Sequence, residues 1–104
     1  MSNSKTELVK LPEEQIKQEM GKLKLDWKLV KEGTELYREF EFKGYYKTIA
    51  FVNSVAWIAQ QERHHPDLEV SYGKCIVRYT THDANGLTVN DFKCVHSIEA
   101  LGAE

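Results

Sequence analysis

A segment with helical periodicity, set between two pairs of strand-like segments, constrains the fold more than any other feature of this sequence. From Tyr45 to about Arg63 apolar residues recur at helical spacing, and Pro66 then ends the helix because the residue before a proline is disfavoured in the helical region. A helix with one apolar stripe must bury that stripe against another layer of structure. The sequence therefore predicts a helix packed on a sheet. The predicted stripe consists of Ile49, Val52, Val55, Ala56 and Ala59, broadened by Phe51 and Ile58.

The segments on either side of this helix alternate apolar and polar residues, as half-buried strands do. The first pair runs from Leu25 to Leu29 and from Leu36 to Phe42, and the second from Leu68 to Tyr72 and from Cys75 to Thr81. Each pair is joined by a short turn, which predicts two antiparallel hairpins. Arg38 falls at the alternating positions of this strand that are otherwise apolar, those of Leu36, Phe40 and Phe42. Its presence there indicates either a bulge or a polar edge in that strand.

A short helix precedes the first hairpin and another follows the second. Pro12 fits the first position of the former, and Gly21 can end it. Thr88 is the predicted N-cap of the last helix, with Asp91 at the capping-box position. The order is thus α-β-β-α-β-β-α, an α+β fold in which a four-stranded antiparallel sheet carries three helices layered on one face.

Length and charge narrow the class of protein. The chain has 104 residues, close to the usual size of one domain, so we expect a flexible N-terminus over residues 1–10 and a single domain over 11–104. Its 14 basic and 16 acidic residues are mixed along the chain, which argues against direct nucleic-acid binding. Nothing resembles a bilayer span or a secretory signal. We therefore expect no membrane partner and a cytoplasmic location, with the nucleus as a second compartment.

Two cysteines and one tryptophan can be interpreted from the sequence pattern around them. Cys75 and Cys94 lie in apolar patterns without a Cys-x-x-Cys spacing, which predicts buried thiols. Trp57 lies in the middle of the polar face of the central helix. A lone surface tryptophan can be without a role, but a large aromatic residue there favours a subunit interface and self-association.

Histidines supply the side chains best suited to catalysis. His64 and His65 are adjacent where the central helix ends, and His82 ends the last strand. If the second hairpin folds back, the chain next to His65 and the chain at His82 could meet at one edge of the sheet. Asp91 is then separated from His82 by only a short loop. The alternatives are helix-end capping by the histidine pair, a surface role for His82, and a capping box that alone explains Asp91. His96 has no polar companions and is expected at the surface.

Other chemistries find little support in the residue pattern. Zinc could use three histidines and an aspartate, but adjacent residues rarely both ligate one ion, and helical i, i+4 ligand spacing is missing. The sequence has no Gly-rich phosphate loop and no Gly-x-Ser-x-Gly motif. We therefore predict no metal, and no other catalytic motif competes with the histidines.

The motifs His64-His65-Pro66-Asp67, Thr81-His82-Asp83 and Gly86-Leu87-Thr88, followed by Asp91, resemble the pterin-4a-carbinolamine dehydratases. The match runs in register over about the second half of the chain. Any one motif alone is weak, but the combination is specific. The resemblance implies the same α+β fold and a homodimer or homotetramer in which the central helix takes part, consistent with Trp57.

The activity implied by the resemblance is dehydration of 4a-hydroxytetrahydropterin to quinonoid dihydropterin, which recycles the cofactor of aromatic amino-acid hydroxylases. The pterin is the substrate and no redox change occurs, so no cofactor is expected. His64 and His82 would act as acid and base, without an assignment of which is which. His65 would position the substrate, and Asp91 would orient an imidazole or bind the pterin ring while still capping its helix. The positions that match the family's catalytic and supporting residues are His64, His65, His82, Asp91, Gln60, Pro66 and Thr81.

One departure and one rival function accompany this resemblance. Many family members carry glutamate where this chain has Gln60, and an amide could hydrogen-bond His64 but could not stabilise its imidazolium by charge. Some animal members resemble dimerisation cofactors of a homeodomain transcription factor. That role would need a presented surface around Trp57, with a transcription factor as partner, rather than the histidines.

Overall fold

The computed structural model describes residues 8–103 and has the predicted element order. The helices are α1 (Glu13–Gly21), α2 (Tyr45–Glu62) and α3 (Val89–Glu99), and the strands are β1 (Lys28–Val30), β2 (Glu35–Glu41), β3 (Asp67–Ser71) and β4 (Lys74–Tyr79). The α+β class is confirmed. Of the N-terminal segment predicted to be flexible, residues 1–7 lie outside the described part, and residues 8–10 form neither helix nor strand.

The four strands form one antiparallel sheet in the order β1-β2-β4-β3, so both predicted hairpins are present. The register between β2 and β4 is continuous along β2, which excludes a bulge at Arg38. The Arg38 guanidinium lies 4.4 Å from the centre of the Phe40 ring, so a cation–π contact accommodates the charged residue among apolar neighbours.

β1 is shorter than the predicted strand, and Glu99 at the end of α3 explains why. The main-chain N–H groups of Lys24 and Leu25 donate to the Glu99 carboxylate at 3.0 and 2.7 Å. The Leu25 donor is thus used outside the sheet, and the Trp27 N–H donates to the Leu25 carbonyl at 3.0 Å, so strand pairing starts only at Lys28. The contact ties the end of α3 to the segment that leads into β1.

The buried face of α2 is rotated from the predicted stripe. Phe51 packs against Phe40 and Phe42, with ring centres 4.6 and 5.1 Å apart. This aromatic contact turns Ala56 out into solvent and leaves Ile49 and Val52 only half-buried. The buried residues of α2 are Thr48, Phe51, Val55, Ile58 and Ala59.

Cys75 and Cys94 are buried free thiols, as predicted. Burial raises the pKa of each thiol from 9.0 to about 11. Both thiols are therefore protonated in the folded protein at neutral pH and mildly above it.

We expect the protein to lose stability as the pH rises from 9 towards 11, because the unfolded chain releases thiol protons that the folded chain retains. The free energy of unfolding should fall by up to about 1.4 kcal/mol per pH unit for each thiol. Urea unfolding at several pH values measures the slope. The double variant Cys75→Ala/Cys94→Ala should have a flatter slope, and equal slopes in the two proteins would contradict the prediction.

Candidate active site

The end of α2 fixes the main chain of His64. Arg63 adopts a left-handed conformation with φ 55°, its N–H donates to the Gln60 carbonyl at 3.4 Å, and the His64 N–H donates to the Ala59 carbonyl at 3.0 Å. These are the two hydrogen bonds of a Schellman helix ending. The chain thus leaves α2 in a defined direction at the first histidine of the pair.

Arg63 occupies a conformation that favours glycine, so Arg63→Gly should raise the free energy of unfolding by about 0.5–1 kcal/mol. Arg63→Ala is the matched control, because it removes the same side chain but keeps the Cβ atom that is strained there. Urea unfolding compares the three proteins. A glycine variant no more stable than the alanine variant would show that the strain is absent.

His64 and Asp91 form the central contact of the site. Nε2 of His64 lies 2.5 Å from Oδ1 of Asp91, whose side chain is 0% exposed, whereas that of His64 is 13% exposed. Oδ2 of Asp91 accepts from the Thr81 hydroxyl at 2.7 Å and from the Thr88 N–H at 2.9 Å. Buried carboxylates require such partners. An ionised carboxylate accepts all three hydrogen bonds, which puts a proton on Nε2 and leaves Nδ1 for another partner.

The helix cap and the histidine contact use different oxygens of the same carboxylate. Thr88 and Asp91 form the predicted capping box at the start of α3, through Oδ2. Oδ1 remains for His64. The two interpretations of Asp91 from sequence are therefore compatible, because capping holds the carboxylate in place for the imidazole.

The hydroxyl groups behind Asp91 form a directed chain. The Thr81 hydroxyl donates to Asp91, and its oxygen lies 2.9 Å from the Thr88 hydroxyl oxygen, so the Thr88 hydroxyl must be the donor of that pair. The Asn90 N–H in turn donates to Thr88 at 3.3 Å. We call His64, Thr81, Thr88 and Asp91 the Asp91 network. Each of its hydrogen bonds strengthens the next.

His65 and His82 lie at the surface beside this network. His65 follows His64 directly, and His82 follows Thr81, where it starts a short 3-10 helix (His82–Ala84) rather than ending a strand as predicted. Within residues 8–103 neither imidazole forms a side-chain hydrogen bond to another residue. Both rings are exposed and have nitrogens free for a ligand.

The supporting residues named from sequence divide into two kinds. Thr81 belongs to the Asp91 network, and Pro66 is half-buried between the histidine pair and β3. The Gln60 side chain is exposed and makes no hydrogen bond to His64 in the described structure. The His64 ring is instead turned to Asp91, while the Gln60 main-chain carbonyl takes part in the helix ending.

Tyr79 and Cys94 are not among the site residues predicted from the sequence, yet both contact His64. The Tyr79 hydroxyl donates to the His64 carbonyl at 3.2 Å, and the Cys94 sulfur lies 4.0 Å from the same oxygen. The Tyr79 and His64 rings are 5.2 Å apart between centres. Only the apolar alternation of β4 was visible in the sequence, and that signal predicts a core residue.

Trp57 and a neighbouring groove form an apolar surface outside the Asp91 network. Trp57 is 65% exposed on α2 and, with Ile58 and Leu101, lines a groove between α2 and α3. His96 is exposed, as predicted.

In the described part of the chain, no three His, Cys, Asp or Glu side chains are grouped as a metal site requires. Among the same residues, no helix combines the length and apolar character needed to cross a bilayer.

Comparison with known proteins places this chain in a family. The family model described as pterin 4 alpha carbinolamine dehydratase matches residues 9–101. A Legionella pneumophila protein that carries the family's name is 48% identical over 91 residues, 88% of this chain and 80% of that protein. A Chromobacterium violaceum protein of the same name is 53% identical over 76 residues, 73% of this chain and 68% of its own.

Two solved structures have a similar fold. A Brucella melitensis protein titled transcriptional coactivator/pterin dehydratase matches with a TM-score of 0.83 and 27% identity, over 88% of this chain and 97% of that one. A pterin dehydratase-like protein titled a RuBisCO assembly factor in the alpha-carboxysome matches with a TM-score of 0.65 over 77% of this chain and 94% of its own. At 17% identity the second match shows the fold alone.

Proposed function

The chain belongs to the pterin-4a-carbinolamine dehydratase family, and on that premise we propose that it dehydrates 4a-hydroxytetrahydropterin to quinonoid dihydropterin by histidine acid–base catalysis. The observation that carries the proposal is the 2.5 Å contact between His64 Nε2 and the fully buried Asp91. A carboxylate in this position orients an imidazole, selects its tautomer and stabilises the imidazolium that forms on proton uptake. His64 Nδ1 is then the basic atom.

The reaction needs a base and an acid. His64 Nδ1 takes the proton from N5 of the pterin, and the electron pair of that N–H bond forms the C4a=N5 double bond. The bond from C4a to the hydroxyl oxygen breaks, and the imidazolium of His82 gives its proton to the departing hydroxyl, which leaves as water. Exchange with solvent returns both histidines to their starting forms. Each general acid or base contributes about 10²–10⁴ in rate.

His65 and Asp91 have different parts in this proposal. Asp91 is fully buried with both oxygens hydrogen-bonded inside the protein, so it orients His64 and does not itself touch the pterin. His65 is exposed next to His64 and is the better candidate for holding the substrate. Exposed ring nitrogens suit the polar edge of a pterin, which carries both donors and acceptors.

The pH dependence of kcat/KM tests the histidine roles. We expect the wild-type profile to change between about pH 5 and 8, where histidines titrate, and His82→Ala to remove one limb of it. His96→Ala is the matched control, because His96 is also exposed but lies on the outer part of α3. A flat wild-type profile, or equal effects of the two variants, would count against histidine acid–base catalysis.

A role in binding a partner is the second candidate. The Brucella melitensis neighbour is titled a transcriptional coactivator as well as a pterin dehydratase. The exposed Trp57 beside the groove between α2 and α3 gives this chain an apolar surface for association, in the first place with copies of itself. Such an assembly is compatible with catalysis, because Trp57 does not belong to the Asp91 network.

We expect Trp57→Glu to shift the protein to a smaller species in size-exclusion chromatography with light scattering, since a charge would have to be buried at the contact. Wild type should run as a dimer or tetramer. Val89→Glu is the control, because Val89 is a second exposed apolar residue, on α3. If the wild type is a monomer, or if Trp57→Glu keeps its size, then Trp57 is not at a subunit interface.

A further inference from the structure

The stretch of chain from Tyr79 to Thr81 donates hydrogen bonds to both His64 and Asp91. Tyr79, the last residue of β4, donates its hydroxyl to the His64 carbonyl, and Thr81, two residues further on, donates to Asp91. Residues two apart in extended chain face the same side, so both hydroxyls point towards the layer of helices. The histidine comes from the end of α2 and the aspartate from the start of α3, and this segment spans the gap between them.

We propose that Tyr79 is a positioning residue for the dehydration: its buried hydroxyl, with the Cys94 thiol as a second donor, holds the His64 carbonyl and so keeps the imidazole aligned on Asp91. The inference rests on the proposed function for its effect on rate. It goes beyond that function because neither Tyr79 nor Cys94 takes part in the chemistry of the pterin.

The main-chain geometry supports a direct link from this hydroxyl to the ring. The His64 N–H is already fixed by the Ala59 carbonyl at 3.0 Å. Fixing the carbonyl as well holds the peptide on both sides of the Cα atom that carries the imidazole. Without the second contact, the residue could rotate about its remaining hydrogen bond, and a displacement of about 1 Å at a catalytic group can cost about 10²-fold in rate.

Burial makes the Tyr79 hydroxyl a permanent donor. Its side chain is fully buried, and desolvation raises the pKa of Tyr79 far above its usual value, so it does not ionise in the working pH range. A buried hydroxyl also needs an acceptor, and the Tyr79 hydroxyl donates to the His64 carbonyl at 3.2 Å beside the Cys94 thiol. The two groups therefore satisfy each other at the edge of the Asp91 network.

The test removes the hydroxyl and keeps the ring. We expect Tyr79→Phe to lower kcat by about 10-fold to 100-fold and to leave KM within about twofold of wild type. Tyr37→Phe is the matched control, since Tyr37 is a half-buried tyrosine of β2 opposite Arg78, outside the Asp91 network. In a His64→Ala background, Tyr79→Phe should have no further effect, because a residue that acts only through His64 has nothing left to position.

A spectroscopic measurement decides the inference independently of activity. The proton on His64 Nε2 that is hydrogen-bonded to Asp91 should give a downfield NMR resonance in wild type and in Tyr37→Phe, and that resonance should broaden or be lost in Tyr79→Phe. If Tyr79→Phe matches Tyr37→Phe in both kcat and resonance, or if it slows the His64→Ala enzyme as much as it slows wild type, the inference is wrong.

If Tyr79→Phe does not fold, Cys94→Ala removes the second donor to the same carbonyl: a lower kcat with a broadened resonance supports the inference, and values equal to wild type overturn it. If wild type does not accelerate the dehydration at all, the proposed function fails. The resonance in Tyr79→Phe then still decides whether Tyr79 positions His64.

Discussion

Asp91→Asn is expected to lower kcat/KM by about 10²–10⁴, because the amide changes which nitrogen of His64 carries the proton. The position of Oδ2 must still accept from the Thr81 hydroxyl and the Thr88 N–H, so the amide oxygen has to occupy it. The amide nitrogen then faces His64 Nε2 as a donor and requires an unprotonated Nε2. The proton moves to Nδ1, and the basic atom of the proposed mechanism is lost.

Steady-state kinetics and urea unfolding measure the two consequences of this substitution separately. The cap of α3 is kept, so the free energy of unfolding should fall by no more than about 1–3 kcal/mol. Asp83→Asn is the matched control, because it neutralises an exposed acid next to His82. An Asp91→Asn enzyme with a rate near that of Asp83→Asn would show that the carboxylate does not set the state of His64.

His64→Ala should be the second large effect, and it should act on both rate and stability. The rate falls by about 10²–10⁴ because the base is removed. Stability falls by about 1–3 kcal/mol because Oδ1 of the buried Asp91 loses its donor. For a domain of ordinary stability that is a large fraction of the whole.

His64→Gln separates these two effects. The glutamine amide can donate to Asp91 in place of Nε2 but cannot take up the N5 proton. We expect His64→Gln to recover most of the stability lost in His64→Ala and none of the activity, as measured by urea unfolding and by the dehydration rate. If His64→Gln is as active as wild type, His64 is not the base. If it is as unstable as His64→Ala, the contact with Asp91 does not stabilise the fold.

Local sequence signals predicted most of the fold. The two hairpins, the central helix and the capping box at Thr88 depend on periodicity and on neighbouring residues, and all are present. The buried face of α2 was predicted less well. Its rotation depends on Phe51 packing against Phe40 and Phe42, a long-range contact that no pattern within the helix contains.

For the candidate site, the sequence predicted which residues take part better than it predicted how they are arranged. His64 and Asp91 were both singled out, but their contact depends on how the ends of α2 and α3 meet. The helix α2 ends at Arg63 in a left-handed conformation, a position that glycine usually occupies, so the sequence does not mark this ending. Tyr79 alternates with Cys75 and Val77 as any core residue would, and only the fold shows that its hydroxyl reaches His64. Contacts between distant segments were the part that the sequence could not supply.

The decay of enzymatically generated 4a-hydroxytetrahydropterin, followed by ultraviolet absorbance with a chelator present throughout, is the most direct measurement of dehydration by this protein. We expect wild type to accelerate the decay over buffer, with the acceleration unchanged by the chelator and lost in His82→Ala. A decay in the presence of wild type that is no faster than in buffer would contradict the dehydratase function. The fold would then serve as a binding module.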